Sequence, residues 1–258
     1  MSRPELDLSI VSYTDRSVNL AWSVLNTSAD HLFSILRGNS PSEMEEIATD
    51  LFMNSYVDDG LSSYSNNRLW FYRVIATNID TGDTITSTIK YEHYKSDKIF
   101  MDVVRRDRLV LYPVRDKRPL VGVKCFLYPQ KSWGSKCHVC WDSVKSRVRD
   151  DKCPECYSTG YSGGYFDPSW FYADFTPDSK FVNLMDYFEI QPSQSACWTT
   201  NYPPLSPRDV IIEEDGRRWI VVDVVITEYR RKRYRQLAHL DKIDRDDIKY
   251  QIPYPEDL

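Results

Sequence analysis

Hydrophobic and polar residues alternate along most of the chain, which is the period of a half-buried β-strand. Near the N-terminus the alternation runs through LDLSIVSYTDRSVNLAWSV and predicts two strands with a turn near TDRS. The next stretch, HLFSILRGNS, predicts a third strand with His31, Phe33 and Ile35 on one face. The polar stretch SPSEMEEIATD, which contains Glu45 and Glu46, breaks this alternation and is expected to form one helical turn.

A hairpin is predicted at NRLWFYRVIATNIDTGDTITSTIKYE, with its turn at Asp80 and Gly82. With Trp22, the run WFYRVIATN makes residues 4–93 resemble a fibronectin type III domain. Trp70 stands where that family usually has a tyrosine whose hydroxyl bonds the backbone, so this bond must be absent or replaced. The resemblance implies that residues 1–93 form a seven-stranded sandwich, with Trp22 in its core, that acts as a spacer or docking module.

The remaining residues, 94–258, predict a second β-rich domain. A helix is expected from Asp97, with Ser96 as its cap, as a connection between the domains. An extended strand from Arg108 to Val114 remains an alternative for its last part. Strands are then expected at VGVKCFLYP, SWFYADFTPD, NLMDYFEIQ and SACWTTNYP. A hairpin at Asp215-Gly216 leads into WIVVDVVITEY, which is apolar on both sides and is therefore predicted to be a central strand. The expected fold class is mainly β.

The order of strand, glycine hairpin, long strand and Arg/Gln-rich return strand in residues 203–243 resembles the small barrel of tailed-phage head-to-tail connector proteins. The resemblance implies a non-enzymatic, ring-forming neck protein of the virion, assembled in the host cytoplasm. Its partners would be copies of itself and neighbouring virion proteins on the portal or adaptor side and the tail side. A tail or baseplate component remains an alternative.

Four of the six cysteines form two C-x2-C pairs, Cys137 with Cys140 and Cys153 with Cys156. Two such turns aim four sulfurs at one point, which suits a single structural Zn²⁺ per chain. Reduced structural cysteines or two disulfides are the alternatives. Residues 134–165 resemble a zinc ribbon, inserted into the second domain. His138 is expected to be exposed rather than a ligand, and Cys125 and Cys197 are expected to pack in the core.

The net charge of −5 gives the chain no global attraction for nucleic acid. The exception is the local run YRRKRYR, where Arg230–Arg235 could lie at a solvated strand end, contact packaged DNA or meet an acidic subunit. Together with the cysteines, this run leaves a zinc-ribbon nucleic-acid-binding regulator as a further alternative. The sequence has no stretch of about 20 apolar residues, so no membrane partner is expected. No catalytic motif is present, and no catalytic residue or organic cofactor site is predicted.

Overall fold

A computed structural model describes residues 3–13, 17–61, 70–92, 98–114, 118–175, 194–230 and 232–255. The chain is mainly β, as the sequence predicts, with sixteen strands and one α-helix in the described residues. It divides into two compact units. The first contains residues 1–97 and 131–167, and the second contains residues 98–130 and 168–258.

The first unit contains an antiparallel sandwich. Its strands are β1 (Glu5–Tyr13), β2 (Val18–Leu25), β3 (His31–Ser40), β4 (Glu43–Leu51), β5 (Ser55–Asp58), β6 (Trp70–Asn78), β7 (Thr84–Thr86) and β8 (Lys90–Glu92). One sheet has the order β1-β2-β5, and the other has the order β4-β3-β6-β7 with β8 also paired to β6. The predicted inward side chains meet between the sheets, where the Trp22 ring centroid lies 5.4 Å from that of Phe33.

The sandwich differs from the predicted seven strands because its last strand is split. The short strands β7 and β8 pair with opposite halves of β6. Between them, the Ser87 hydroxyl accepts a hydrogen bond from the backbone N–H of Val74, and the Ser87 N–H donates to the Val74 carbonyl. A side chain therefore replaces part of the backbone pairing, and one predicted strand becomes two.

Strand β4 corrects another prediction. The residues expected to form a helical turn, including Glu45 and Glu46, are an edge strand that pairs with β3. Because an edge strand is half solvated, it tolerates charged residues on both faces, and charge there guards against unwanted pairing. The polar composition that suggested a helical turn instead reflects the strand's position at the sheet edge.

The second unit is built on a closed barrel of six strands in the order β12-β13-β16-β15-β14-β9. Its strands are β9 (Val123–Tyr128), β12 (Ser169–Asp174), β13 (Gln194–Thr200), β14 (Val210–Glu213), β15 (Arg218–Tyr229) and β16 (Lys232–Lys242). The core of the barrel contains the buried residues Cys125, Leu127, Phe171, Ala173, Cys197, Leu205, Ile211, Trp219, Val221, Ala238 and Leu240. Both isolated cysteines are therefore packing residues, as predicted.

The long strand β15 is only partly the central strand that its composition predicts. Trp219 and Val221 are buried, but Val222 and Val225 are about half exposed, at 50% and 48%. The first residues alternate between buried and half-buried, and the later ones are largely exposed, so the prediction of a strand buried on both faces is wrong. The hairpin before it is confirmed, because Gly216 has a φ of 85° and donates its N–H to the Glu213 carbonyl.

The predicted helix is confirmed as α1 (Lys98–Leu111), although Ser96 and Asp97 lie outside the described residues. It belongs to the second compact unit, and its role as the connection between domains stays a prediction. The predicted strand NLMDYFEIQ lies outside them as well. A short 3-10 helix, Ile248–Gln251, follows the barrel. That residues 1–93 and 94–258 fold as independent domains stays a prediction. In the division into compact units, the four-cysteine segment belongs with the N-terminal sandwich.

Candidate metal centre

The four cysteines of the two C-x2-C pairs lie together in the first unit. Their sulfur atoms are all within 4.8 Å of one another, every one is buried, and none forms a disulfide. The Cys137 and Cys153 sulfurs are 3.8 Å apart, and those of Cys140 and Cys156 are 3.2 Å apart. Zn–S bonds of about 2.3 Å in a tetrahedron place sulfurs about 3.8 Å apart, so the group fits a four-thiolate metal site.

The two pairs are held by equivalent turns. The backbone N–H of Trp141 donates to the Cys137 carbonyl at 3.1 Å, and the N–H of Tyr157 donates to the Cys153 carbonyl at 3.0 Å. Between the turns lies a two-stranded hairpin, β10 (Trp141–Asp142) and β11 (Arg147–Val148). The residues between the two cysteine pairs therefore form a short antiparallel hairpin.

Gly160 packs against the four-cysteine site and bonds its backbone. Its carbonyl accepts the N–H of Cys137, and its φ is 79°, in the left-handed region that favours glycine. A Cβ at this position would lie 3.1 Å from the Trp141 ring and 3.0 Å from Val148. Glycine is therefore needed both for the backbone conformation and for the close packing beneath the cysteines.

The environment of the thiols is mixed. Burial raises the pKa of Cys140 and Cys156, because the charged thiolate is poorly solvated there. Burial also opposes ionisation of Cys153, yet hydrogen bonds from the backbone N–H groups of Cys156 and Glu155 lower the pKa of that thiol overall. A bound cation would supply the charge that four buried thiolates need.

The segment that carries the cysteines is anchored to the sandwich by a buried lysine. Lys131 is 4% exposed, and its Nζ donates to the Ser162 carbonyl at 2.7 Å. The same Nζ lies 3.4 Å from an Asp30 carboxylate oxygen and 4.5 Å from the ring centroid of Phe52. The ion pair and the cation–π contact both compensate for removing the ammonium group from water. Sequence reasoning missed Lys131, because its partners are distant in the chain.

Aromatic contacts reinforce this anchor. The Phe166 ring lies 4.7 Å from Trp133 and 5.9 Å from Phe52, measured between centroids. The backbone N–H of Asp167 donates to the Phe52 carbonyl at 3.2 Å. The four-cysteine segment is thus packed against residues that follow β4, and it belongs physically to the sandwich. His138 is exposed, as predicted.

The basic run has one member with a structural role. Arg235 donates two hydrogen bonds to the buried carboxylate of Asp107 on α1, at 2.8 and 3.1 Å, and lies 4.3 Å from the Trp198 ring centroid. Arg233 is 55% exposed and 3.6 Å from Glu228. The predicted Arg230–Arg235 patch therefore does not act as one surface, because its last arginine holds the helix.

Buried carboxylates elsewhere in the barrel have partners typical of structural groups. Asp209 accepts backbone N–H bonds from Gln130 and Ser206, both at 2.8 Å. Glu213 accepts the indole N–H of Trp219 at 2.6 Å. Burial raises the pKa of both groups, although these hydrogen bonds oppose the shift. Each carboxylate thus stabilises a strand end.

A scan of protein-family models and a search of curated proteins both found no match to this chain. Within the described residues, no helix combines the length and apolar character needed to cross a membrane.

Proposed function

We propose that this protein is a non-enzymatic structural subunit of a tailed-phage particle, and that it forms a ring in the neck between head and tail. The observation that carries the proposal is the fold of the stretch that resembles connector barrels. Residues 203–243 contain β14, the glycine hairpin, the long β15 and the return strand β16, and these strands are consecutive neighbours in a closed barrel. This order is what the resemblance implies.

The other features support a scaffolding role. The buried carboxylates of Asp107, Asp209 and Glu213 are hydrogen-bonded to backbone or side-chain donors, which is how structural carboxylates are satisfied. The sandwich and the four-cysteine segment form one compact unit. A rigid unit of this kind suits a part that must present fixed surfaces to several neighbours.

Within this proposal, Cys137, Cys140, Cys153 and Cys156 bind one structural Zn²⁺ per chain. Four thiolates complete a tetrahedron and leave no position for a substrate or water, so the metal would hold the fold rather than act on a ligand. The buried cluster around the site consists of the four cysteines with Val148 packed against it, and a bound metal would supply folding energy that so small a cluster lacks.

Zinc content tests the metal assignment directly. We expect about one zinc per chain in protein purified without chelator, and substantial loss of zinc in Cys153→Ser. Hydrogen exchange should then become faster in residues 134–164. Cys197→Ser is the matched control, because Cys197 is buried in the barrel and away from the site, so this variant should keep its zinc. Zinc well below one per wild-type chain would contradict the assignment.

The composition of purified particles tests the function. We expect mass spectrometry to detect the protein in virions, and deletion of its gene to give full heads without tails or heads that leak DNA. Detached tails or baseplates that contain the protein would favour the tail alternative. Protein found only in host cytoplasm, with DNA affinity that falls steeply with salt, would favour the regulator alternative and overturn the proposal.

A further inference from the structure

The outer edge of β15 is an unusual surface for a barrel strand. β14 pairs only with residues 218–220, and loop residues Arg208 and Asp209 then bond Val221. From Val222 to Tyr229, no strand in the described residues pairs with this edge, although β16 pairs with the other. Val222, Val225 and Ile226 are exposed here. An apolar strand edge with which no described strand pairs is a template for pairing with another chain.

The end of this strand is basic. We call the described residues 222–230 of β15 and its end, together with residues 232–234 of β16, the arm. Arg230 and Arg233 lie at its tip and are exposed, whereas Arg235 beyond it is bonded to Asp107. Arg233 lies 3.6 Å from the exposed Glu228, and such surface pairs contribute little free energy. The exposed tip therefore presents positive charge that would attract an acidic surface.

The first unit contains an acidic strand edge. Strand β4 pairs with β3 on one side, and no described strand pairs with its other side. Glu43, Glu45, Glu46 and Asp50 are exposed along it. Glu45 is bonded to Arg37, but Glu43 and Glu46 have no ion-pair partner among the described residues. The outer edge of the arm at its tip and the outer side of β4, neither of which pairs with a described strand, are thus opposite in charge.

We propose that the arm of one copy pairs with the acidic edge strand β4 of a second copy, and that this contact joins successive subunits. This inference rests on the proposed ring function, and it specifies how neighbouring subunits of the ring would be joined. Because it joins two different surfaces, it is a heterologous contact, which generates a ring when the rotation closes. Backbone pairing and the apolar residues supply affinity, and the charges fix which edge is chosen.

Complementary charge reversal tests the contact in full-length protein, with self-association measured by sedimentation velocity. The arm variant carries Arg230→Glu and Arg233→Glu, and the strand variant carries Glu43→Lys and Glu46→Lys. Each variant alone should associate at least about tenfold more weakly than wild type. An equal mixture should recover association, because the arm of either variant then meets a strand of opposite charge on the other. Recovery also shows that both variants fold.

Lys145→Glu with Arg147→Glu is the matched control, since it makes the same charge change at the exposed hairpin between the cysteine pairs. It should associate as wild type does. The proposal is overturned if wild type stays monomeric, if either variant associates normally or if the mixture does not recover. Loss of DNA binding by the arm variant with unchanged self-association would also overturn it, and would assign the arm to DNA. If the contact between copies is overturned but the protein is still found in virions, the proposed function stands. If the protein is absent from virions, the proposed function is overturned as well.

Discussion

Asp209 is a single buried carboxylate whose ionisation is expected to set part of the pH dependence of the barrel. Burial raises the pKa of this group to about 7 in the folded chain, although two backbone N–H bonds favour the charged form. In the unfolded chain the pKa is close to 3.8. The folded state therefore binds the proton more tightly, so its contribution is complete below about pH 4 and is lost as the pH rises towards 7.

Asp209→Asn should flatten this dependence. The free energy of unfolding of wild type should fall between pH 4 and pH 7, with a contribution from Asp209 of up to about 1.4 kcal/mol per pH unit. The free energy of unfolding of the variant should change less with pH. The variant should also lose one hydrogen bond, because an amide has only one oxygen to accept the two backbone N–H groups. Chemical denaturation at several pH values measures this. Equal slopes in the two proteins would show that another group titrates in this range.

Lys131 is the residue on which the anchoring of the metal segment most depends. Lys131→Met keeps the aliphatic stem but leaves the Ser162 carbonyl and the Asp30 carboxylate without the ammonium group. We expect a loss of roughly 1–3 kcal/mol in the free energy of unfolding and faster hydrogen exchange in residues 131–167. Lys145→Met, on the exposed hairpin, should change neither quantity. Similar stability in the two variants would contradict the role of Lys131.

At the scale of elements, the sandwich core gives the clearest expectation. Trp22 on β2 is 4% exposed and packs on Phe33 of the opposite sheet. Trp22→Ala should lower the free energy of unfolding by roughly 3–5 kcal/mol, because a large cavity replaces the indole. Leu25→Ala, at the exposed end of the same strand, should cost under about 1 kcal/mol. Calorimetry or denaturant titration measures both losses of stability. Equal losses for Trp22→Ala and Leu25→Ala would refute the core role of Trp22.

The sequence predicts an element well when the interactions that form it involve residues close together in the chain. The strands around Trp22, Phe33 and Cys197 follow from alternation alone, and the cysteine pairs follow from spacing. The polar residues of β4 predict a helical turn, whereas they reflect an edge position that only the neighbouring strands define. The exposed half of β15 was unpredictable for the same reason, since its composition matches a buried strand.

At the scale of the whole molecule, the chain crosses between the two units three times, after residues 97, 130 and 167. The sequence predicts the metal segment as an insertion in the second domain, and its chain position agrees with that. Its packing partners, Asp30 and Phe52, lie about a hundred residues earlier, and no local pattern connects them. Long-range packing of this kind decides which compact unit a segment joins.

If the proposed neck function holds, substitutions within the one basic run should separate folding from assembly. Arg230→Ser with Arg233→Ser should leave stability within about 0.5 kcal/mol but give full heads without tails or heads that leak DNA. Arg235→Ser should instead cost roughly 1.5–3 kcal/mol, because the buried Asp107 carboxylate loses two charge-assisted hydrogen bonds. Unfolding titrations and electron micrographs of particles measure the two effects. Normal infectious particles from the double variant would show that the arm's tip is not needed for assembly.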